Sequence, residues 1–159
     1  MLGNRQMMDR LRAWLTEEQE GLSGDRDTLQ LAVAALLMEA AQVDGALGEQ
    51  ERIAVRRLLE RKFGLSADAS QALAESGARQ AERSAQLFGF TRTINERVPR
   101  ERRIELIEML WEVAYADGAL DPLEDAMLRQ VGGLIDVADA ERGAARQRVM
   151  KRLGIAEAD

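Results

Sequence analysis

Two acidic motifs of matching sequence carry the side chains best suited to chemistry in this chain. Residues 39–51 read EAAQVDGALGEQE and residues 112–124 read EVAYADGALDPLE, so every counterpart lies 73 positions further on. Carboxylate oxygens are the ligands that hard divalent cations prefer. The candidate metal ligands are Asp44, Glu51, Asp117 and Glu124, with Glu39 and Glu112 as companions.

The composition also limits the kinds of active site and metal site that this chain can form. The chain has no cysteine and no histidine. This excludes disulfides, thiolate zinc sites and cysteine nucleophiles, and it removes the commonest general base and transition-metal ligand. A bound metal would therefore be held by oxygen, which favours calcium, magnesium or manganese. No other cofactor is expected.

The charge and hydropathy of the chain indicate which partners it can bind and where in the cell it is expected. The net charge of −6 argues against nucleic acid as a partner, because nucleic-acid-binding surfaces are usually basic. The one local basic excess, from Arg92 to Arg103, is typical of a solvated helix start, with a docking face for an acidic partner as the alternative. The longest apolar run, residues 31–38, is too short to cross a bilayer. We therefore expect a cytoplasmic protein without a transmembrane segment.

Apolar residues recur at helical spacing along most of the chain, and no segment alternates with period two. The pattern predicts an all-α fold: a single helical bundle domain of about seven helices with an internal pseudo-twofold repeat. An N-terminal helix and linker occupy residues 1–26 and the helical domain residues 27–159, with repeats at about 27–66 and 99–138. Predicted helices span 4–19, 28–43, 48–63, 99–116, 121–135 and 139–153, with one or two more in 67–97, broken near Gly77 and near Phe88-Gly89-Phe90.

Each acidic motif falls at a corner between two predicted helices. Asp44 and Asp117 end their helices just before a glycine, where the helix dipole disfavours a carboxylate by about 0.3–1 kcal/mol. The free N–H groups of the next helix or a bound cation would compensate. The corner is not an EF-hand, whose glycine stands at the sixth loop position. Leu47 and Leu120 are predicted to pin the corners to the core.

Two of the four glutamates have a structural explanation that competes with the ligand role. Asp121, Pro122 and Glu124 occupy the cap, first and third positions of a capping box. Glu51 stands in the same way after Gly48, which is a weaker cap. The helix-starting role is favoured over a ligand role for both glutamates.

Ion pairing offers a similar alternative for the other two glutamates. Glu39 and Glu112 project from helices that are otherwise apolar around them. Arg56 and Arg129 match across the repeat and lie on the neighbouring helices. The pairs Glu39–Arg56 and Glu112–Arg129 are therefore slightly favoured over metal ligation.

The motif Ala-x-x-Asp-Gly-x-Leu-x-x-x-Glu stands at residues 41–51 and again at residues 114–124. With it the chain resembles the TerB-like family of tellurite-resistance proteins over about residues 27–153. A related domain precedes the J domain in some membrane-anchored co-chaperones. The resemblance implies an all-helical fold with internal pseudo-symmetry, a bacterial stress setting and an acidic surface that is a possible divalent-cation site. By position, that surface comprises the same six acids.

Three functions are compatible with these residues. The preferred one is a non-enzymatic stress-response module that binds a divalent cation, a protein partner or both through the acidic corners. The resemblance adds an inner-membrane-associated complex as a partner, and a peripheral location at that membrane. The first alternative is a metal-dependent enzyme with paired carboxylates. The second is a purely structural or oligomerising domain, which would form a homo-oligomer.

Overall fold

The structure, a computed structural model, describes residues 23–43, 47–83, 88–116, 118 and 120–155. These residues fold into seven α-helices and one 3-10 turn, with no strand among them, which confirms the predicted all-α bundle. The helices are α1 (Ser23–Ala41), α2 (Glu49–Phe63), α3 (Ala67–Arg83), α4 (Phe88–Arg97), α5 (Arg103–Ala114), α6 (Pro122–Leu134) and α7 (Asp139–Leu153), and the 3-10 turn is Arg100–Arg102.

Some predictions fall outside these ranges. The predicted helix over residues 4–19 lies outside the described residues, and so do Asp44 and Asp117. The internal pseudo-twofold repeat and the domain boundaries stay predictions. Within the described part of the chain, no helix is both long and apolar enough to span a membrane.

Helix α1 lies at the centre of the bundle and contacts α2, α3, α4, α5 and α6. Every residue from 32 to 38 is buried. A helix that is apolar on all sides is stable in water only where other elements cover all of its faces. The sequence predicts such a central helix here, and the structure confirms it.

Helix α3 runs unbroken from Ala67 to Arg83, so the predicted break at Gly77 is wrong. Gly77 instead lies where α3 crosses α1. A β-carbon added to it would come within 2.7 Å of both the main-chain carbonyl carbon and the β-carbon of Ala34. Glycine is therefore required here for a close approach of two backbones, and not for a turn.

Helix α5 starts later than predicted, because a 3-10 turn follows Pro99. Arg103, its first residue, lies in the basic segment noted in the sequence. Its guanidinium donates to three main-chain carbonyls, those of Val98 at 3.0 Å, Asn95 at 3.1 Å and Ile135 at 3.2 Å. Arg103 thus joins the end of α4 to the end of α6, and it serves the fold rather than an external partner.

The ends of α3 and α7 show how local residues set helix boundaries. The hydroxyl of Ser66 accepts a hydrogen bond from the N–H of Ala69 at 3.1 Å, so Ser66 caps α3, as a serine just before a helix is expected to do. At α7, Ala138 occupies the cap position and Asp139 is the first helical residue, whereas the sequence predicts Asp139 as the cap, so the cap lies one residue earlier than predicted. The carboxylate of Glu141 accepts from the N–H of Ala138 at 3.3 Å.

Candidate functional site

The second acidic corner joins α5 to α6 and is described at Gly118 and from Leu120 onward. Gly118 has a φ of +88°, in the left-handed region that favours glycine, and its N–H donates to the carbonyl of Tyr115 at 2.9 Å. Leu120 packs against the core, as predicted. Asp121 caps α6 by accepting from the N–H of Leu123 at 2.7 Å. The corner is therefore built on the predicted cap.

The first corner joins α1 to α2 and is described from Leu47 onward. Leu47 also packs against the core, so the predicted apolar anchor is present at both corners. Gly48 occupies the cap position of α2 without a side-chain bond. A β-carbon built on Gly48 would collide with the carboxylate of Glu51, which shows that this side chain folds back over the helix start.

Glu51 and Glu124 hold the third positions of α2 and α6, and both are buried, with 9% and 6% of their surface exposed. Burying a carboxylate is unfavourable unless something compensates its charge. The positive end of the helix dipole favours a carboxylate at this position, although one carboxylate oxygen of Glu124, Oε2, is buried without a hydrogen-bond partner in the described structure. The predicted helix-starting placement of both residues is confirmed, and their ligand role stays a prediction.

Glu112 lies in an ion-pair network that differs from the predicted one. Arg61 of α2 donates to one carboxylate oxygen at 2.9 Å, and Arg152 of α7 donates to the other at 2.6 Å. Arg129 pairs instead with Asp125 on its own helix, at 3.3 Å. The predicted pair of Glu112 with Arg129 is therefore wrong. A cation at this carboxylate would have to displace two guanidinium groups.

Glu39 differs from its counterpart Glu112. It is half-buried near the end of α1, and this burial raises the pKa of its carboxyl above the ordinary value. Arg56, its predicted partner, pairs with Glu60 on the same helix at 3.0 Å. Among the described residues, Glu39 has no basic partner, so its predicted ion pair is wrong as well.

Replacing Glu39 with glutamine is expected to raise stability slightly at pH 7. Because the folded state has the higher pKa, the protonated form stabilises the fold below the ordinary glutamate pKa, and this contribution is lost as pH rises through the folded-state pKa. Glu39→Gln cannot ionise and avoids that loss. Urea unfolding at pH 7 and below about pH 4 measures the difference, with the exposed Glu82→Gln as control. A less stable Glu39→Gln at pH 7 would show that the carboxylate has a stabilising partner.

The described acids do not form a metal site by themselves. No three acidic side chains converge within the described ranges in a way that could hold a metal ion. Asp44 and Asp117 lie outside those ranges. A cation site at either corner would therefore depend on one of these two aspartates, which makes them the residues to test.

A second feature is a groove of about 950 Å³ beside the second corner. It runs between α2, the end of α5 and the segment that ends α7. Its lining is more apolar than polar. We call the apolar lining residues the floor of the groove and the arginines of α2 its rim. The lining includes Ile53, Arg56, Arg57, Arg61, Tyr115, Ala116, Gly118, Leu153 and Ile155.

Sequence reasoning missed this groove, although α2 carries a signal for it. Ile53, Arg56, Arg57, Glu60 and Arg61 stand at i, i+3, i+4, i+7 and i+8, which places them on one helical face. The residues of α2 that face the core are different ones, such as Val55, Leu58 and Leu59. Arginines grouped around Ile53 on the face of α2 that points away from the core are the sequence pattern that indicates this wall of the groove.

The family model for tellurite resistance protein TerB matches residues 30–147 of the 159. The chain belongs to the TerB family. No curated protein and no solved structure matches significantly. The TerB match confirms the family predicted from the repeated motif. It includes both acidic corners and the α2 and α5 walls of the groove, whereas Leu153 and Ile155 lie beyond it.

Proposed function

We propose that this TerB-family protein is a non-enzymatic stress-response module that binds a hard divalent cation, a protein partner or both at its acidic corners. The family match supports the tellurite-resistance setting. The composition supports binding over catalysis, because a chain without histidine or cysteine lacks the commonest general base and the strongest side-chain nucleophile. An oxygen-only ligand set suits calcium, magnesium or manganese.

The observation that carries the proposal is the contrast between the two corners. Glu39 and Glu51 lie on either side of the first corner in sequence, and neither has a basic partner among the described residues. At the second corner, both oxygens of Glu112 accept from arginines. At the first corner, therefore, no guanidinium of the described residues competes with a cation for Glu39 or Glu51, and both could complete a site with Asp44. We propose it as the tighter cation site.

A thermal melt with calcium, magnesium or manganese tests this proposal. A ligand at about 100 times its dissociation constant adds about 2.7 kcal/mol, which corresponds to a rise of roughly 5–10 °C in Tm for a domain of this size. We expect Asp44→Asn to abolish the rise and Asp117→Asn to reduce it less. Asp68→Asn, an exposed acid in the first turn of α3, is the matched control and should keep the full rise.

Two results of these melts would contradict the proposed cation site at the first corner. If millimolar metal gives no shift and both variants merely lower Tm, the corners are structural and do not bind cations. If the rise survives in Asp44→Asn but not in Asp117→Asn, the second corner is the site. In that case, the carboxylates of the first corner do not predict where a cation binds.

A further inference from the structure

The groove beside α2 concentrates exposed apolar surface. Among the described residues, three large apolar side chains are strongly exposed, and two of them, Ile53 at 37% and Leu153 at 44%, line this groove. Tyr115 and Ile155 extend the same floor. Clustered apolar surface of this kind on a protein marks a binding site more often than isolated apolar residues do.

The rim of the groove is basic in a chain whose net charge is −6. Arg56, Arg57 and Arg61 line it, against the two acids Glu60 and Glu112. Arg57 is exposed and has no carboxylate partner within the described ranges. The side chain of Arg61 remains 65% exposed in its pair with Glu112. These guanidinium groups can accept further carboxylates from outside, which they bind with two parallel hydrogen bonds.

The walls of the groove are held together before any ligand arrives. Glu112 of α5 bonds to Arg61 of α2 and to Arg152 of α7, so one carboxylate joins all three walls. Arg152 also donates to Glu108 at 3.1 Å. Because these walls are already joined, the groove loses less conformational entropy when a ligand binds than a flexible site would.

We propose that this groove binds an acidic segment of a partner protein, which places apolar side chains on the floor and carboxylates against the arginines of α2. Amphipathic segments bind grooves in this way through apolar anchors at helical spacing. The basic rim supplies charge complementarity, which favours acidic segments over basic ones. The groove shares Gly118 and Glu112 with the second corner, but its ligand is an acidic segment and not a cation, so peptide binding and the metal-dependent rise in Tm test the two proposals separately.

The shape and charge of the surface favour a peptide over two other ligands. The groove is open along α2, whereas small-molecule sites enclose most of their ligand. Tyr115 is only 6% exposed, so a flat bilayer surface would not contact all of this floor. The net charge of −6 also opposes binding to anionic lipids. A single protein segment fits these constraints.

Selection of random peptides displayed on phage against the full chain tests the proposal, followed by fluorescence polarisation with the selected peptides. We expect the selected sequences to combine acidic residues with apolar residues at helical spacing. Arg57→Glu and Ile53→Glu should each weaken their binding about tenfold or more. The matched controls are Arg92→Glu and Leu123→Glu, which change an exposed arginine and an exposed leucine outside the groove and should leave affinity unchanged.

Several outcomes would overturn the proposal. It fails if selection yields no peptide, if the peptides lack acidic residues, or if they bind the groove variants as tightly as the controls. A peptide of residues 1–22 that competes for the groove would make the occupant this chain itself. A dimer in light scattering that Ile53→Glu dissociates would make it a second copy. Binding to anionic phosphatidylserine vesicles that Arg57→Glu abolishes would make it a membrane. Thermal melts of all four variants verify that each one folds.

Discussion

Replacing Gly77 with alanine is expected to lower the free energy of unfolding by about 1–3 kcal/mol. In an exposed helix the same change would stabilise, because alanine is the better helix former by about 1 kcal/mol. At Gly77 the new methyl group would lie 2.7 Å from the carbonyl carbon of Ala34 and 2.9 Å from its oxygen. Backbone atoms in the middle of a buried helix cannot move aside, so α1 and α3 must separate.

Gly143 provides the matched control for this substitution. It lies inside α7, is exposed, and has no atom within 4 Å of where its β-carbon would be placed. Gly143→Ala should therefore raise stability by about 0.5–1 kcal/mol. Urea unfolding of both variants measures the contrast, and equal effects would mean that the close crossing of α1 and α3 does not exist.

A double substitution examines the same contact from the other side. Ala34→Gly removes the β-carbon of Ala34 but leaves its main-chain atoms, which also contact the position that the new methyl group would occupy. Ala34→Gly alone costs about 0.5–1 kcal/mol in a helix, so Gly77→Ala is compared within the Ala34→Gly background, where only part of its cost should be recovered. Full recovery would show that the two side chains, and not the backbone, limit the approach of the helices.

Replacing Trp111 with alanine should be more damaging, at about 3–5 kcal/mol. Trp111 is 1% exposed and lies in α5 against α7. Its indole N–H donates to the carbonyl of Arg142 at 3.1 Å, and the guanidinium of Arg146 lies 5.5 Å from the ring centroid. The substitution leaves a cavity, removes the indole hydrogen bond to a carbonyl that keeps its partner within α7, and removes a cation–π contact worth about 0.5–2 kcal/mol.

A graded series separates these contributions. Trp111→Phe keeps an aromatic ring but removes the hydrogen bond to Arg142, so it should fall between the original protein and Trp111→Ala. Leu123→Ala, at a side chain that is 54% exposed, should change stability by less than about 0.5 kcal/mol. Chemical denaturation of the three variants gives the order, and a Trp111→Ala effect near that of Leu123→Ala would contradict the burial of the indole.

The parts of the fold that local sequence determines were predictable. The uninterrupted apolar stretch around Val33 and Leu36 predicted the central helix α1, and Asp121-Pro122 predicted the start of α6. Gly77 was misjudged because its neighbours in sequence do not show which helix crosses it. A helical glycine is a break or a close contact depending on a residue, Ala34, that is distant in the chain.

Some features of the candidate site could likewise be predicted from local sequence, and others could not. The helix-starting positions of Glu51 and Glu124 follow from motifs a few residues long, and the structure confirms them. The partner of Glu112 could not be predicted, because many arginines are available and the choice depends on how α2, α5 and α7 pack. The groove was missed for the same reason, since its walls come from three helices that are far apart in the sequence.

The floor of the groove has an evolutionary consequence. Leu153 and Ile155 follow the last residue of the TerB match, whereas both acidic corners lie within it. If the groove binds a partner segment as proposed, mutations confined to the end of α7 would change which segment it accepts and would leave the corner residues as they are. The groove and the corners could then change independently of each other.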